Sequence, residues 1–141
     1  MRPTLTAALL IGFAVSQKTL VAAGQPSVYS GYSAEVTDVT AHVGEKAVMH
    51  ITLRPCAGCR PLEAYTNRLS RFSSLDGKVD FDHQIVEPTV EGNTLVFTVG
   101  VTPTALGRHQ INGVFRVGYI DGPSTMFVVS LPLIAAVIGS E

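Results

Sequence analysis

Residues Thr94–Val101 read TLVFTVGV, and they decide the fold. Leu95, Phe97, Val99 and Val101 share one parity, while Thr94, Val96, Thr98 and Gly100 share the other. A period of two rather than 3.6 marks a strand with one buried face. The same pattern holds on both sides of this stretch. Lys46–Arg54 (KAVMHITLR) sets Ala47, Met49, Ile51 and Leu53 against Lys46, His50, Thr52 and Arg54, with Val48 the exception. His109–Ile120 (HQINGVFRVGYI) sets Ile111, Phe115, Val117 and Tyr119 against Gln110, Asn112 and Arg116, and Phe127, Val129 and Leu131 continue the theme. Turn residues fall between the runs. Glu91-Gly92-Asn93 separates Gln84–Val90 from Thr94–Val101 as a hairpin would, Asp121-Gly122-Pro123-Ser124 separates the last long strands, and Asp76-Gly77 precedes Lys78–Phe81. Short strands with polar turns predict an all-β fold, an antiparallel sandwich.

Three segments fit less simply. Glu35–Ala41 is the expected first strand, but Val36 and Val39 break its alternation, which predicts a bulge or an irregular strand. Leu62, Tyr65, Leu69 and Phe72 recur at helical spacing behind Pro61, so residues 62–72 (LEAYTNRLSRF) are expected as one short helix or as an irregular loop at the sheet edge. The tail Ser130–Gly139 (SLPLIAAVIG) is apolar and carries Pro132. It reads as a last buried strand ending at a proline-bent edge, or as an exposed tail that docks on a partner.

The chain has 141 residues, 46% apolar and 15% charged, with a formal net charge of −1. This supports a packed core and gives none of the basic field of a general nucleic-acid binder. Aromatics are 7% and there is no Trp, which weighs against stacking platforms for sugars or single strands. Met1-Arg2-Pro3, the apolar run Leu5–Val15 and the small residues of Val21-Ala22-Ala23 form the pattern of a secretory signal. The run is shorter than the roughly 20 residues that span a bilayer, and Gln17 and Lys18 interrupt its continuation as an anchor. The expected organisation is a signal peptide over 1–23, an extended lead-in over 24–34 and a single β-sandwich domain over 35–141. Cleavage after Ala23 removes Arg2 and Lys18 and no acid, leaving a mildly acidic chain, periplasmic or secreted, without a membrane span.

Pro103-Thr104-Ala105-Leu106-Gly107-Arg108-His109, followed by an alternating strand, resembles the corner between the fifth and sixth strands of immunoglobulin-like and fibronectin-like domains. Those corners often read Pro-x-x-x-Gly-x-Tyr, and the tyrosine hydroxyl closes them. Here His109 stands in the tyrosine's place, where an imidazole caps a backbone carbonyl over a shorter reach. The resemblance implies an immunoglobulin-like architecture over residues 35–131. The superfamily has no single function to carry over.

Cys56 and Cys59 are the only cysteines, three apart in Cys56-Ala57-Gly58-Cys59. In an exported protein such a pair tends to oxidise to itself, and Gly58 frees the backbone to close the ring. Three roles stay open: a structural clip, a redox pair, and a metal site, with Cu(I) the metal two thiols suit. His42, His50, His83 and His109 show no ligand spacing, and Asp80 and Asp82 read as a solvated strand face. Phosphate loops and nucleophile elbows are missing from the sequence. Arg54, Arg60, Arg68 and Arg71 concentrate positive charge between residues 54 and 75, against Glu63 as the one acid. Arginine favours bidentate contact with carboxylates and phosphates. The expected function is therefore a non-catalytic binding, assembly or accessory subunit without a cofactor. Its Cys-clipped basic segment 54–75 would contact a protein partner of an envelope complex. The alternative is a thiol-disulfide or copper-handling protein that uses Cys56 and Cys59.

Overall fold

The computed structural model describes residues 27–29 and 31–141. The expected signal segment 1–23 and residues 24–26 and 30 of the lead-in lie outside the described residues. In chain order the strands are β1 (Ser27–Tyr29), β2 (Tyr32–Val36), β3 (Val39–His42), β4 (Ala47–Pro55), β5 (Cys59–Pro61), β6 (Arg68–Ser74), β7 (Val79–Phe81), β8 (Ile85–Val86), β9 (Thr89–Glu91), β10 (Thr94–Pro103), β11 (Gly107–Asp121) and β12 (Thr125–Ser140). They form two sheets. The first runs β1-β2-β4-β10-β7, with β9 also on β10; the second runs β3-β12-β11-β6-β8, with β5 also on β11. All pairings are antiparallel except β3 with β12, which is parallel.

The alternating runs supply the core. Met49, Ile51 and Leu53 of β4 and Leu95, Phe97, Val99 and Val101 of β10 face inward from the first sheet. Leu69 of β6, Ile111, Phe115 and Val117 of β11, and Leu131, Leu133 and Val137 of β12 answer from the second. Phe97 and Phe115 meet edge-on between the sheets, their ring centroids 5.4 Å apart. Val48, the residue out of pattern in β4, points to solvent.

The irregular segments resolve into changes of sheet. The expected first strand is neither bulged nor single. It divides into β2 in the first sheet and β3 in the second, and the break at Thr37-Asp38 is the crossover. Gln84–Val90 likewise divides into β8 and β9, which belong to different sheets, at Glu87-Pro88. A proline there supplies no ladder donor and suits the bend.

The expected helix over 62–72 is absent: the segment is a turn followed by β6. Its donors go elsewhere. Leu62 N–H bonds the Gly118 carbonyl at 3.0 Å, and β6 pairs with β11 from Arg68 onward. The helical spacing of Leu69 and Phe72 arises from a β-bulge. On the partner β11 the register shifts between Asn112 and Val114, and Arg71 sits at φ 58°. The extra residue returns Phe72 to the buried side that Leu69 already occupies.

The tail is strand throughout. From Leu131 to Val137 the odd residues of β12 are buried, while Met126, Val128 and Ile134 on the other parity are exposed. Nearer the hairpin Phe127 is exposed too and Val129 half-buried, because the first sheet does not cover that end, so they do not continue the buried pattern.

Candidate functional site

The β11 registers bring distant arginines onto one surface. Arg68 of β6 lies directly opposite Arg116 of β11, which lies opposite Ser130 of β12. The neighbouring row Leu69–Phe115–Leu131 is buried, so by strand alternation the Arg68–Arg116–Ser130 row faces outward. Arg60 of β5 is exposed opposite Ile120, on the same outer face. Arg116 Nη1 donates to Ser130 Oγ at 2.7 Å, and Arg68 Nη1 donates to the Thr66 carbonyl at 3.0 Å with its guanidinium 6.0 Å from the Tyr65 ring centroid. Like charges directly opposite on a sheet cost on the order of a few tenths of a kcal/mol. Among the described residues, no carboxylate lies within ion-pair distance of Arg60, Arg68, Arg71 or Arg116. The strands of this sheet carry a single acid, Asp121, at the hairpin end of β11. Around the arginines the same sheet exposes Ile85, Met126, Val128 and Ile134, at 61%, 64%, 45% and 60%.

Of the arginines singled out from sequence, Arg60 and Arg68 share this face. Arg71 is exposed at the bulge of β6. Arg54 belongs to β4 in the other sheet, with its Nη2 3.9 Å from Glu35 Oε1. Arg116 lies outside segment 54–75. Its outward parity was legible in the sequence, but its neighbour across the strands was not.

An uncharged, buried knot holds this face in register. The Gly118 N–H donates to Asn67 Oδ1 at 2.8 Å, Tyr32 Oη donates to the Gly118 carbonyl at 2.8 Å, and Asn67 Nδ2 donates to the Leu62 carbonyl at 3.1 Å. Burial, then the neighbouring Tyr119, pushes the Tyr32 hydroxyl far above its ordinary range, so it stays a donor. The chain approaches Gly118 closely. A Cβ there would lie 3.2 Å from Leu62 Cβ and 3.3 Å from the Phe127 carbonyl oxygen. The knot fixes the turn before β6 and hence where Arg68 emerges.

Beside it, Cys56 and Cys59 are joined by a disulfide, with Cα atoms 5.0 Å apart. The Cys59 N–H closes the turn on the Cys56 carbonyl at 2.9 Å, and Gly58 takes φ 78°. Cys59 is buried and Cys56 half-buried. Both line a concavity of about 390 Å³ with Arg60 and Asn93. Among the described residues, no three His, Cys, Asp or Glu side chains gather as metal ligands do.

At the opposite end of β11, His109 is 4% exposed. Its Nε2 lies 2.8 Å from the Ala105 carbonyl and its Nδ1 2.6 Å from Asp76 Oδ2. Both partners are acceptors, so the geometry calls for a hydrogen on each nitrogen, an imidazolium. The Ala105 carbonyl, followed by the Asp76 carboxylate, raises the His109 pKa above 6.5, and the bond from His109 holds Asp76 below 3.8. The imidazole thus closes the corner onto a carbonyl of its own loop. His42, His50 and His83 are exposed. Asp80 is exposed on β7, and Asp82 pairs with Lys46.

The fold and this surface define a two-sheet β-sandwich with an arginine-bearing outer face. The chain matches no protein-family model, and no curated protein matches it in sequence.

Proposed function

We propose that this chain is an exported, non-catalytic binding or assembly subunit of a periplasmic or envelope complex. In this reading it engages an acidic protein partner through the outer face that carries Arg60, Arg68 and Arg116. The carrying observation is the direct opposition of Arg68 and Arg116 with no carboxylate among the described residues to offset it. Such a pair costs stability in the free chain and is matched by a partner's carboxylates, which an arginine fork engages bidentately. Arginine and methionine beside exposed aliphatics, with lysine missing, is also the composition of protein interfaces. The order β2-β4-β10-β7 against β3-β12-β11-β6, with β3 parallel to β12 and His109 closing its corner, supports an immunoglobulin-like reading of the sandwich.

The test is capture from the envelope of the native host with wild-type and Arg60→Glu/Arg68→Glu bait. We expect the wild type to retain a partner whose binding weakens with salt, and the variant to lose it. Identical partner sets for the two baits refute the proposal.

A second reading rests on the half-buried position of Cys56 in a concavity next to Arg60. There the pair would exchange disulfides or, once reduced, hold Cu(I). A reduction potential far below that of periplasmic exchange enzymes excludes the exchange role. Copper retained through dialysis of the reduced protein and lost in Cys56→Ser supports the metal role.

A further inference from the structure

Strand β12 has a second edge. Its register with β11 is unbroken from Gly139 to Thr125, so one edge is fully used. On the other edge, β3 covers only Val137–Ser140. The Ala136 N–H points to that second edge too, donating to Asp38 Oδ1 at 3.0 Å, and Asp38 is held in turn by Arg108 at 2.8 Å. Backbone groups alternate sides along a strand, so Met126, Val128, Ser130, Pro132 and Ile134 present theirs to the same edge as Ala136. Pro132, which has no N–H, therefore costs the β11 ladder nothing. Among the described residues, nothing pairs with this edge before Ala136. The whole of β12 (TMFVVSLPLIAAVIGS) carries no ionisable side chain. A long, uncharged, apolar edge is a template for another strand.

We infer that the free edge of β12 is a self-association site, and that its occupant is the same strand of a second copy, running antiparallel about a two-fold axis at Ser130. The edge is complementary to itself. The uncovered edge runs from Met126 to Ile134, and Ser130 is its midpoint, so this register pairs its full length. Met126 then faces Ile134 of the partner copy, and Val128 faces Pro132 of the partner copy. Exposed apolar side chains cover one another, and β12 itself brings no charge to the contact; the nearest charge is Arg116, which bonds its own copy's Ser130 Oγ beside the axis. The Pro132 carbonyl still accepts from Val128 of the partner copy, and the Ser130 backbones exchange both bonds across the axis. The contact joins the second sheets of two copies into one. It rests on backbone groups and on aliphatic side chains at the β12 margin of the arginine face, where Ser130 accepts from Arg116, and it needs neither Arg60 nor Arg68.

The test uses the full disulfide-bonded chain. In sedimentation over rising concentration, the wild type is expected to reach a dimer. Ser130→Cys replaces the exposed Oγ that accepts from Arg116, and circular dichroism checks that its fold matches the wild type. Facing residues of such a hydrogen-bonded pair lie about 5.5 Å apart at Cα, within the span a disulfide bridges. Mild oxidation should then give a covalent dimer about tenfold or more faster than Thr98→Cys, an exposed position on the first sheet, because the reaction within a preformed pair is effectively intramolecular. Ser130→Pro removes the central edge donor and should leave a folded monomer by circular dichroism. Arg60→Glu/Arg68→Glu should dimerise as the wild type does, which separates this site from the proposed partner face. A wild type that stays monomeric, equal cross-linking of Ser130→Cys and Thr98→Cys, or a dimer of folded Ser130→Pro overturns the inference.

Discussion

Strand β11 is anchored at two places about 30 Å apart along the strand, by opposite chemistry. Near its hairpin end, Gly118 is fastened by Tyr32 and Asn67, neutral groups deep in the sandwich. Near its start, His109 is fastened by a backbone carbonyl and by the carboxylate of Asp76, a residue exposed to solvent. The neutral anchor gains its worth from burial, since an unmade bond there leaves a desolvated group behind. The charged anchor gains its worth from protonation, so it responds to pH. One strand can therefore hold its hairpin end in fixed register while the far corner responds to the medium.

The largest effect expected is at the neutral anchor. Asn67→Ala leaves the buried Gly118 N–H without its acceptor and should cost about 3 kcal/mol, read from urea unfolding. A cost near zero would show that Gly118 has another partner and would remove the contrast between the anchors.

The disulfide beside the same anchor should matter less. A ring this small is worth about 2 kcal/mol on chain entropy, so Cys56→Ser/Cys59→Ser should shift the unfolding midpoint by less than Asn67→Ala. The reverse order would make the clip, rather than the knot, the fastening of this end.

The charged anchor predicts a pH profile. The His109 pKa is raised above 6.5, so its contribution is complete below 6.5 and is lost as pH rises through the higher folded value. Asp76 is lowered from 3.8, so its contribution is complete above 3.8 and is lost as pH falls through the lower folded value. The pair therefore contributes fully between those limits. Thermal melts across pH should show stability declining above the His109 limit in the wild type and in Asn67→Ala. In His109→Gln that limb should be flat. A decline that persists in His109→Gln would assign it to another group.

The smallest effect lies between the anchors. Arg71 holds φ 58°, where a side chain is strained. Arg71→Gly should stabilise by up to about 1 kcal/mol in urea without altering the pH profile, because relief of strain is partly offset by the glycine's greater freedom when unfolded. Destabilisation would mean that the arginine side chain makes a contact worth more than the strain.

Much of the fold was legible because alternation is local. Leu95 to Val101 and Met49 to Leu53 announced their buried face without any partner strand. The turns at Gly92 and Gly122 were legible for the same reason: both take φ near 60–70°, as 63° and 69°, where glycine is at ease. The segment 62–72 misled because a bulge at Arg71 and a turn at Leu62 give apolar spacings that a helix also gives. Glu35–Ala41 misled because a chain that changes sheet breaks its alternation at the crossing, and sequence does not distinguish this from a bulge; Gln84–Val90 was read as one run although it changes sheet at Glu87-Pro88. Of the arginine-bearing face, Arg60 and Arg68 were read together because they are close in the chain. Arg54, equally close, lies in the other sheet, and Arg116 joins them through strand register.

By itself the sequence determined an all-β chain, the parity of its long strands, and a cysteine pair near enough to bond. Each of these depends on residues a few positions apart. Only the tertiary structure decided which sheet each strand joins, that Arg68 faces Arg116, that Asp38 caps Ala136, and that no strand among the described residues pairs with the edge of β12 before it. Those depend on register between segments far apart in the chain, which is set by packing two apolar faces together rather than by any local preference.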